Sequence, residues 1–386
     1  MTGLLKSFQQ LFAPRQAIPA GVYDYQSPPD DPRNYRLHLR REETGDGILI
    51  VNASSILHLN RTAADYAYYF VHNANADSVA ERMSTRYAID PEIARQDYLN
   101  FAERIRIMIE TPDLDPVTFL DFERRLPFSG RLSAPYRLDC ALTYRLSDDQ
   151  ASDSAPVERV ERELTTSEWK KILQKAWDAG IPHIIFTGGE PTLRADLVEL
   201  ISFAEGLGQV TGVLSDGLKL SEPAYLNALL QAGLDHLMVV LHPESDVSWQ
   251  AVKNAMVEDL SVVVHVTLTE DNQSAYKDIF NRLASLEVQK VSLSAAHPEL
   301  SAALAAAREW LASLDLELVW NLPVPYSALH PVALETDDAK IEGAGRAWLY
   351  IEPDGDVLSA QSNPTVLGNF LNDPWIKIWK GRAEPA

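Results

Sequence analysis

Residues 186–194 read FTGGEPTLR, at the point where an apolar run gives way to a helical pattern. Paired glycines at such a junction let a ligand come close to the backbone, and Glu190 sets a carboxylate beside them. Taken alone, the same glycines also describe a plain tight turn. Other groups with chemical reach stand at the ends of neighbouring apolar runs: Thr143, Thr187, Ser215, Asp216, His242, Thr269 and His297. In a β/α architecture those run ends share one edge, where ligands bind. Glu190, Asp216, His242 and His297 are the candidates there for acid–base or metal-assisted chemistry. No tight metal spacing such as H-E-x-x-H accompanies them, and nine histidines spread over 386 residues place some near strand ends by chance.

The elements that must carry these residues follow from periodicity. From position 136 onward apolar runs alternate with helical patterns, a sign of a parallel sheet or barrel. Strands are predicted at 137–143, 183–187, 210–215, 236–241, 261–268 and 290–295, with a further one at 316–320 extending the sheet. Thr165 and Glu168 form a capping box before Trp169, Ile172, Leu173, Ala176 and Trp177, which repeat at helical spacing. The next helix buries Leu197, Leu200, Ile201 and Ala204 and stops near Gly206 and Gly208. Six such units predict a curved, incomplete β/α barrel. The run VVVHVTL reads as apolar on both faces, which fits burial under helices.

Upstream, residues 35–59 alternate as a small β-meander with a turn at 44–47, and Arg36, Arg40 and Arg41 read as a solvated strand face. Helices open near Asp77 and at Asp90-Pro91, the latter with a capping aspartate before a proline that needs no N–H. Ala94, Tyr98, Phe101, Ile105 and Met108 make one stripe, read as core. Pro112, Pro116, Pro127 and Gly130 mark a boundary.

Composition limits the function classes. At 386 residues the chain is too long for one ordinary core, so two or three domains are expected. A formal net charge of -21 opposes nucleic-acid phosphates and anionic lipid. No apolar run reaches bilayer-spanning length, so a cytoplasmic location is expected. Cys140 is the single cysteine, which excludes an intrachain disulfide and any site built from several of the chain's own thiolates.

FTGGEPTLR resembles the GGEP motif of the radical S-adenosylmethionine (radical SAM) enzymes, and the similarity runs almost continuously from TTSEWKKILQKAWDAGIPHIIFTGGEPTLRADLVELI to VTGVLSDG and again at AGLDHLMVVL. The resemblance implies that the glutamate-bearing loop receives the amino group of S-adenosylmethionine. Gly188, Gly189, Glu190, Pro191 and Ser215 are then the cofactor-binding candidates. It also implies a C-x3-C-x2-C run after the first strand, whose thiolates hold a [4Fe–4S] cluster. Here Leu146, Gln150 and Asp153 occupy those positions, or Tyr144 and Ser147 if Cys140 is taken as the first ligand. Residues 348–379 resemble the SPASM-type extension of radical SAM peptide maturases, with the Pro353-Asp354-Gly355 turn, but Ala360 stands where a cysteine is usual. Trp375 and Trp379, four apart, read as core anchors. LIVNASSILHLN and the helices after it resemble a PqqD-like winged-helix domain, which captures precursor peptides by strand addition. Strand 36–41 and the exposed face of helix 91–110 are the candidate groove.

The expected organisation is an N-terminal tail (1–30), an α+β winged-helix PqqD-like domain (31–110), a linker (111–132), an α/β partial (β/α)6 radical SAM-like barrel (133–325) and a SPASM-like extension (326–386). The expected function is a non-catalytic component of ribosomal peptide maturation that binds a precursor peptide or a partner maturase. On that expectation the chain carries no [4Fe–4S] cluster and no required cofactor, with S-adenosylmethionine as an optional ligand. The alternative is a repurposed enzyme working at the barrel mouth.

Overall fold

The computed structural model describes residues 18–28, 30–53, 55–111, 132–146, 155–320, 322–326, 343–361 and 363–381. They fall into two compact units divided between Ser129 and Gly130.

In the first unit, strands β1 (Gly21–Gln26), β2 (Arg36–Arg41), β3 (Gly47–Val51) and β4 (Ser55–Leu59) form an antiparallel sheet in the order β1-β2-β3-β4. Helices α1 (Arg61–Val71), α2 (Ala76–Tyr87) and α3 (Pro91–Glu110) follow. Each helix starts on a side chain that satisfies an orphan N–H: Asn60 accepts from Ala63, Asn75 from Ser78 and Asp90 from Glu92. Leu37, Leu39, Leu49 and Leu57 of the sheet share one core with Ala64, Val79, Met83 and the stripe Ala94, Tyr98, Phe101, Ile105 and Met108.

Two expectations change here. Arg36, Arg40 and Arg41 are buried rather than solvated. Arg41 meets the buried carboxylate of Asp65 at 3.0 Å, and Asp65 also holds Arg86 at 2.6 Å and accepts from the Tyr87 hydroxyl at 2.7 Å. A buried cation is tolerated when it is paired in this way. Strand 36–41 is also no edge. Its backbone is taken on one side by β1, through pairs such as Tyr23↔Leu39, and on the other by β3, through pairs such as Leu39↔Leu49. Among the described residues the sheet's open edges are β1 and β4.

The second unit is built on six parallel strands: β5 (Arg137–Thr143), β6 (His183–Gly188), β7 (Val210–Ser215), β8 (His236–Leu241), β9 (Ser261–Leu268) and β10 (Lys290–Ala295), side by side in chain order. Helices α4 (Thr166–Asp178), α5 (Leu197–Leu207), α6 (Pro223–Gln231), α7 (Asp246–Met256), α8 (Tyr276–Ser285) and α9 (Ser301–Ser313) alternate with them. The strands are apolar because most are buried on both faces. Glu168 accepts from the Thr165 N–H at 2.9 Å, supplying its half of the expected box at the start of α4. Short β11 (Glu317–Leu318) pairs with β10.

The C-terminal extension adds to the other side of the same sheet. β12 (Trp348–Ile351) lies parallel to β5 and turns through Pro353–Gly355 into β13 (Asp356–Leu358), which pairs with β14 (Val366–Asn369). Gly355, with φ of 92°, takes the left-handed position of that turn. Helix α10 (Trp375–Gly381) closes the unit. Its Trp375 and Trp379 rings stack at 5.3 Å, and their indole N–H groups donate to the carbonyls of Ser133 and Leu132. No helix among the described residues is long and apolar enough to cross a membrane.

The sheet's two faces can be told apart. A side chain at Gly217 would touch Val239 of β8 and Ala251 of α7, so Val239 points to the helices. Its strand neighbours Met238 and Val240 point the other way. With Ile185 of β6 and Leu214 of β7, they form the inner face. The segment 322–326 lies on that face, where Val324 packs into the same cluster with Leu322 and Val263 beside it.

Candidate functional site: the loop after the second barrel strand

β6 ends at Gly188, and the loop 188–191 is clamped on two sides. On the β5 side the Gly189 N–H donates to the Thr143 carbonyl at 2.7 Å and the Glu190 N–H to the Arg145 carbonyl at 2.8 Å. That approach needs both glycines. A Cβ at Gly188 would lie 2.1 Å from the Thr143 oxygen, and one at Gly189 would lie 2.4 Å from the Arg145 oxygen. The close neighbour of the glycine pair is therefore the chain's own backbone. On the inner face, the Gly188 carbonyl accepts from the Tyr326 N–H at 2.7 Å, and Thr187 Oγ1 donates to the Pro323 carbonyl at 2.9 Å.

The Glu190 carboxylate joins this loop to β7. Its Oε1 accepts from the Thr192 N–H at 2.9 Å and from Ser215 Oγ at 3.0 Å, and its Oε2 from the Asp216 N–H at 2.7 Å. Ser215 pairs in register with Val239, so these bonds are made on the helix-facing side. Glu190 is buried, and that burial, reinforced by the Asp216 carboxylate, pushes its pKa up to about 8; the Thr192 and Asp216 donors pull the other way without prevailing. Buried next to Asp216, Glu190 is thus favoured in its neutral form at neutral pH.

A stability effect follows. A carboxyl group with a raised native pKa contributes stability fully below its ordinary value of 4.5 and loses it as pH rises through about 8. Denaturant unfolding across that window is expected to show stability falling with pH in the wild type, and a flatter profile in Glu190→Ala. The alanine variant should also lose about 2 to 4 kcal/mol overall, because it strands the buried donors of Thr192, Ser215 and Asp216. Parallel pH profiles for the two proteins would refute the assignment.

The expected site residues separate into two groups. Gly188, Gly189, Glu190, Pro191, Ser215 and Asp216 come together in the loop described above. Thr143 sends its hydroxyl to Glu163 and Thr269 closes a turn with Asn272, so both are used locally. The His242 ring lies 3.8 Å from Glu244, and its backbone N–H donates to Ser248 Oγ. His297 is exposed at the start of a 3-10 turn, and neither histidine is bonded to Glu190. Leu146 is half-buried, whereas Gln150 and Asp153, like Ser147, lie outside the described residues. Ala360 is buried beside the second hairpin of the extension.

The inner face also holds residues that the sequence reading passed over. His265 and Thr267 of β9 stand in register with Ser292 and Ser294 of β10, and all four are buried. The run VVVHVTL is therefore not apolar on both faces. The alternation of His265 with Thr267, and of Ser292 with Ser294, was the signal available.

Cys140 is the one thiol in the sequence that a cluster could take as a ligand. It is fully buried, and burial, then the neighbouring Asp139, raises its thiol well above the ordinary value. Its strand neighbour Ala141 packs with Tyr326, so Cys140 faces away from that contact. One neutral, helix-facing thiol does not fit a [4Fe–4S] cluster, which takes several thiolates.

Residues 140–256 match the family model "Radical SAM superfamily". The chain is 37% identical over 127 residues to a PqqA peptide cyclase of Rhizobium meliloti (strain 1021), a match covering 32% of this chain and 33% of that protein. It is 27% identical over 270 residues to the PqqA peptide cyclase of Methylobacterium sp. (strain 4-46), covering 61% and 69% of the two chains. The chain thus spans about a third of the first relative's length. Among solved structures, SuiB of Streptococcus suis bound to S-adenosylmethionine aligns with a TM-score of 0.55 at 14% identity over 92% of this chain and 88% of that one. SuiB bound to its precursor peptide SuiA aligns at 0.56 with the same identity and coverage.

These findings correct two expectations. The relatives are named as cyclases, which are enzymes, so a non-catalytic binding component is not what the comparisons support. The expectation of a chain without cofactor is likewise overturned, because the superfamily match and the relatives named as PqqA peptide cyclases point to cofactor use. A missing set of thiolates removes the ligands of one cluster and does not by itself remove an activity. Residues 140–256 match the Radical SAM superfamily, on an α/β fold shared with SuiB.

Proposed function

We propose that this chain acts in the maturation of a ribosomally made peptide, binding S-adenosylmethionine at the edge formed by residues 188–191, Ser215 and Asp216. The observation that carries the reading is the buried Glu190 carboxyl, which accepts the Asp216 backbone N–H at 2.7 Å at the end of β7 and feels the Asp216 charge beside it. A carboxyl group kept mostly neutral by burial beside Asp216 ionises readily against a cation, and the amino group of S-adenosylmethionine supplies one. When bound, S-adenosylmethionine brings the sulfonium chemistry of its class. The chain's own part is to hold the loop in place before the ligand arrives. Glu190 ties it to β7, while Thr143 and Arg145 tie it to β5.

The peptide enters through the first unit, whose sheet and three helices have the make-up of a PqqD-like module, while β12 to β14 and α10 correspond to a SPASM-like extension. With β2 enclosed between β1 and β3, the strand to which a peptide adds is β4 (Ser55–Leu59), at an open edge of the sheet. Strand addition is driven by main-chain bonds and so protects the amides of the strand that receives it. Hydrogen exchange of the full chain, with the precursor peptide encoded beside its gene, is expected to slow at residues 55–59 and in α3. Unchanged exchange at β4 with saturating peptide would reject this mode of entry.

A further inference from the structure

We propose that the turn between β12 and β13 binds a calcium ion, with Glu352, Asp354 and Asp356 as its protein ligands. One carboxylate oxygen from each of the three lies within 4.8 Å of the others. The turn itself brings them together, since the Glu352 N–H donates to the Asp356 carbonyl at 2.8 Å and the Gly355 N–H to the Glu352 carbonyl at 2.9 Å.

Acidic groups gather on many surfaces without holding an ion, so the case rests on a buried atom. Glu352 is 1% exposed, yet only one of its oxygens is used. Its Oε1 accepts from Arg159 Nη2 at 2.5 Å and from Tyr144 Oη at 3.1 Å, while Oε2 has no hydrogen-bond partner. A buried polar atom without a partner is rare in a native fold and marks a place for an ion or a water. Charge decides between the two. Three carboxylates stand against one guanidinium, because Arg159 is the only basic residue paired with any of them among the described residues. Arg162, the next along the chain, is exposed and engaged by Glu168 at 2.6 Å. The double negative charge left over is cancelled by one divalent cation and by no neutral water.

Oxygen donors select a hard cation, and size selects calcium. Oxygens on opposite sides of calcium stand about 4.6 to 5.2 Å apart, those across magnesium only about 4.0 to 4.2 Å. The 4.8 Å limit of this oxygen triangle falls inside the first range and outside the second. Asp354 and Asp356 are half-buried, which leaves the outer side of the site to water ligands. Their other bonds do not compete. Asp354 Oδ1 accepts from the Asp356 N–H at 3.2 Å and Oδ2 from the Glu161 N–H at 3.4 Å, and Asp356 Oδ1 accepts from Asn369 Nδ2 at 2.9 Å. A carboxylate oxygen has lone pairs enough for a donor and an ion together. The ion fastens the hairpin to the segment before α4, where Arg159 reaches Glu352 and the Leu164 N–H donates to the Pro353 carbonyl at 2.8 Å.

The test needs neither peptide nor S-adenosylmethionine. The full chain, treated with chelator and desalted, is titrated calorimetrically with calcium chloride, and its melting is followed with and without the metal. One calcium per chain is expected, and millimolar calcium should raise the melting temperature. Asp356→Asn keeps an acceptor for Asn369 and removes one charge. It should bind calcium at least about 10-fold more weakly, yet melt no lower than the wild type in the absence of metal, because repulsion among the carboxylates is relieved. Should that variant fold poorly, Asp354→Asn, which keeps an acceptor for the Asp356 N–H, is read in the same way. Magnesium should bind the wild type at least about 10-fold more weakly than calcium. No binding at millimolar calcium overturns the proposal, as do equal calcium affinity in the folded asparagine variant and magnesium binding as tight as that of calcium.

Discussion

Gly188→Ala is expected to destabilise the barrel unit more than any other single methyl added to the chain's described glycines. The residue has a φ of 130°, and the new Cβ would sit 2.1 Å from the Thr143 carbonyl oxygen. That atom belongs to backbone and is itself held by the Gly189 N–H, so it cannot swing aside as a flexible side chain would. Moving it breaks the bond from Gly189 and strains the bond between Tyr326 and the Gly188 carbonyl. Backbone strain of about 1 to 3 kcal/mol adds to about 1 to 3 kcal/mol for a buried bond lost, giving roughly 4 kcal/mol. For a unit of this size the melting temperature should fall by about 8 to 16 °C. Gly206→Ala is the matched control. It lies within α5 with open space around its Cα, so alanine there should be neutral or stabilise by up to about 1 kcal/mol. Equal melting temperatures for the two variants would show that the glycine pair is not the clamp described.

Much of the barrel was legible in the sequence. Strands buried on both faces must be apolar throughout, and the runs at 137–143, 210–215, 236–241, 261–268 and 290–295 coincide with β5 and β7 to β10. Helix starts were legible where a side chain caps the backbone locally, as at Asp90. What escaped depends on partners far along the chain. Burial of Arg41 rests on Asp65, 24 residues away, and nothing within the strand announces it. β1 was missed although its alternating tyrosines are followed by the turn-rich stretch Ser27 to Asn34 before β2. The inner-face segment 322–326 has no period to detect, and its place is set by bonds to Thr187 and Gly188.

The candidate site divides in the same way. The residues 188–191 announced themselves through two glycines directly before a carboxylate at the end of an apolar run. Their physical role was read only in part, since the room they make is filled by the ends of β5 rather than by a ligand. Ser215 and Asp216 were placed correctly at a strand end, and their bonds to Glu190 explain why all three fall in one site. His242 and His297 met the same strand-end criterion, but His242 lies beside Glu244, His297 is exposed, and neither is bonded to Glu190. Strand ends bring backbones to one edge of a sheet. Side-chain direction then decides which groups meet.

The second large effect tests the proposed cation site itself. At pH 7 a Glu190 carboxyl with a pKa raised to about 8 is mostly protonated. An ammonium group seated between Glu190 and Asp216 would favour the ionised form and drive that proton out. Calorimetric titration of the full chain with S-adenosylmethionine, in two buffers of different ionisation enthalpy, reads both binding and proton release. One site per chain is expected, with close to one proton released on binding at pH 7, and both signals should vanish in Glu190→Ala. Saturable binding without proton release, or no binding at millimolar ligand, would contradict the account.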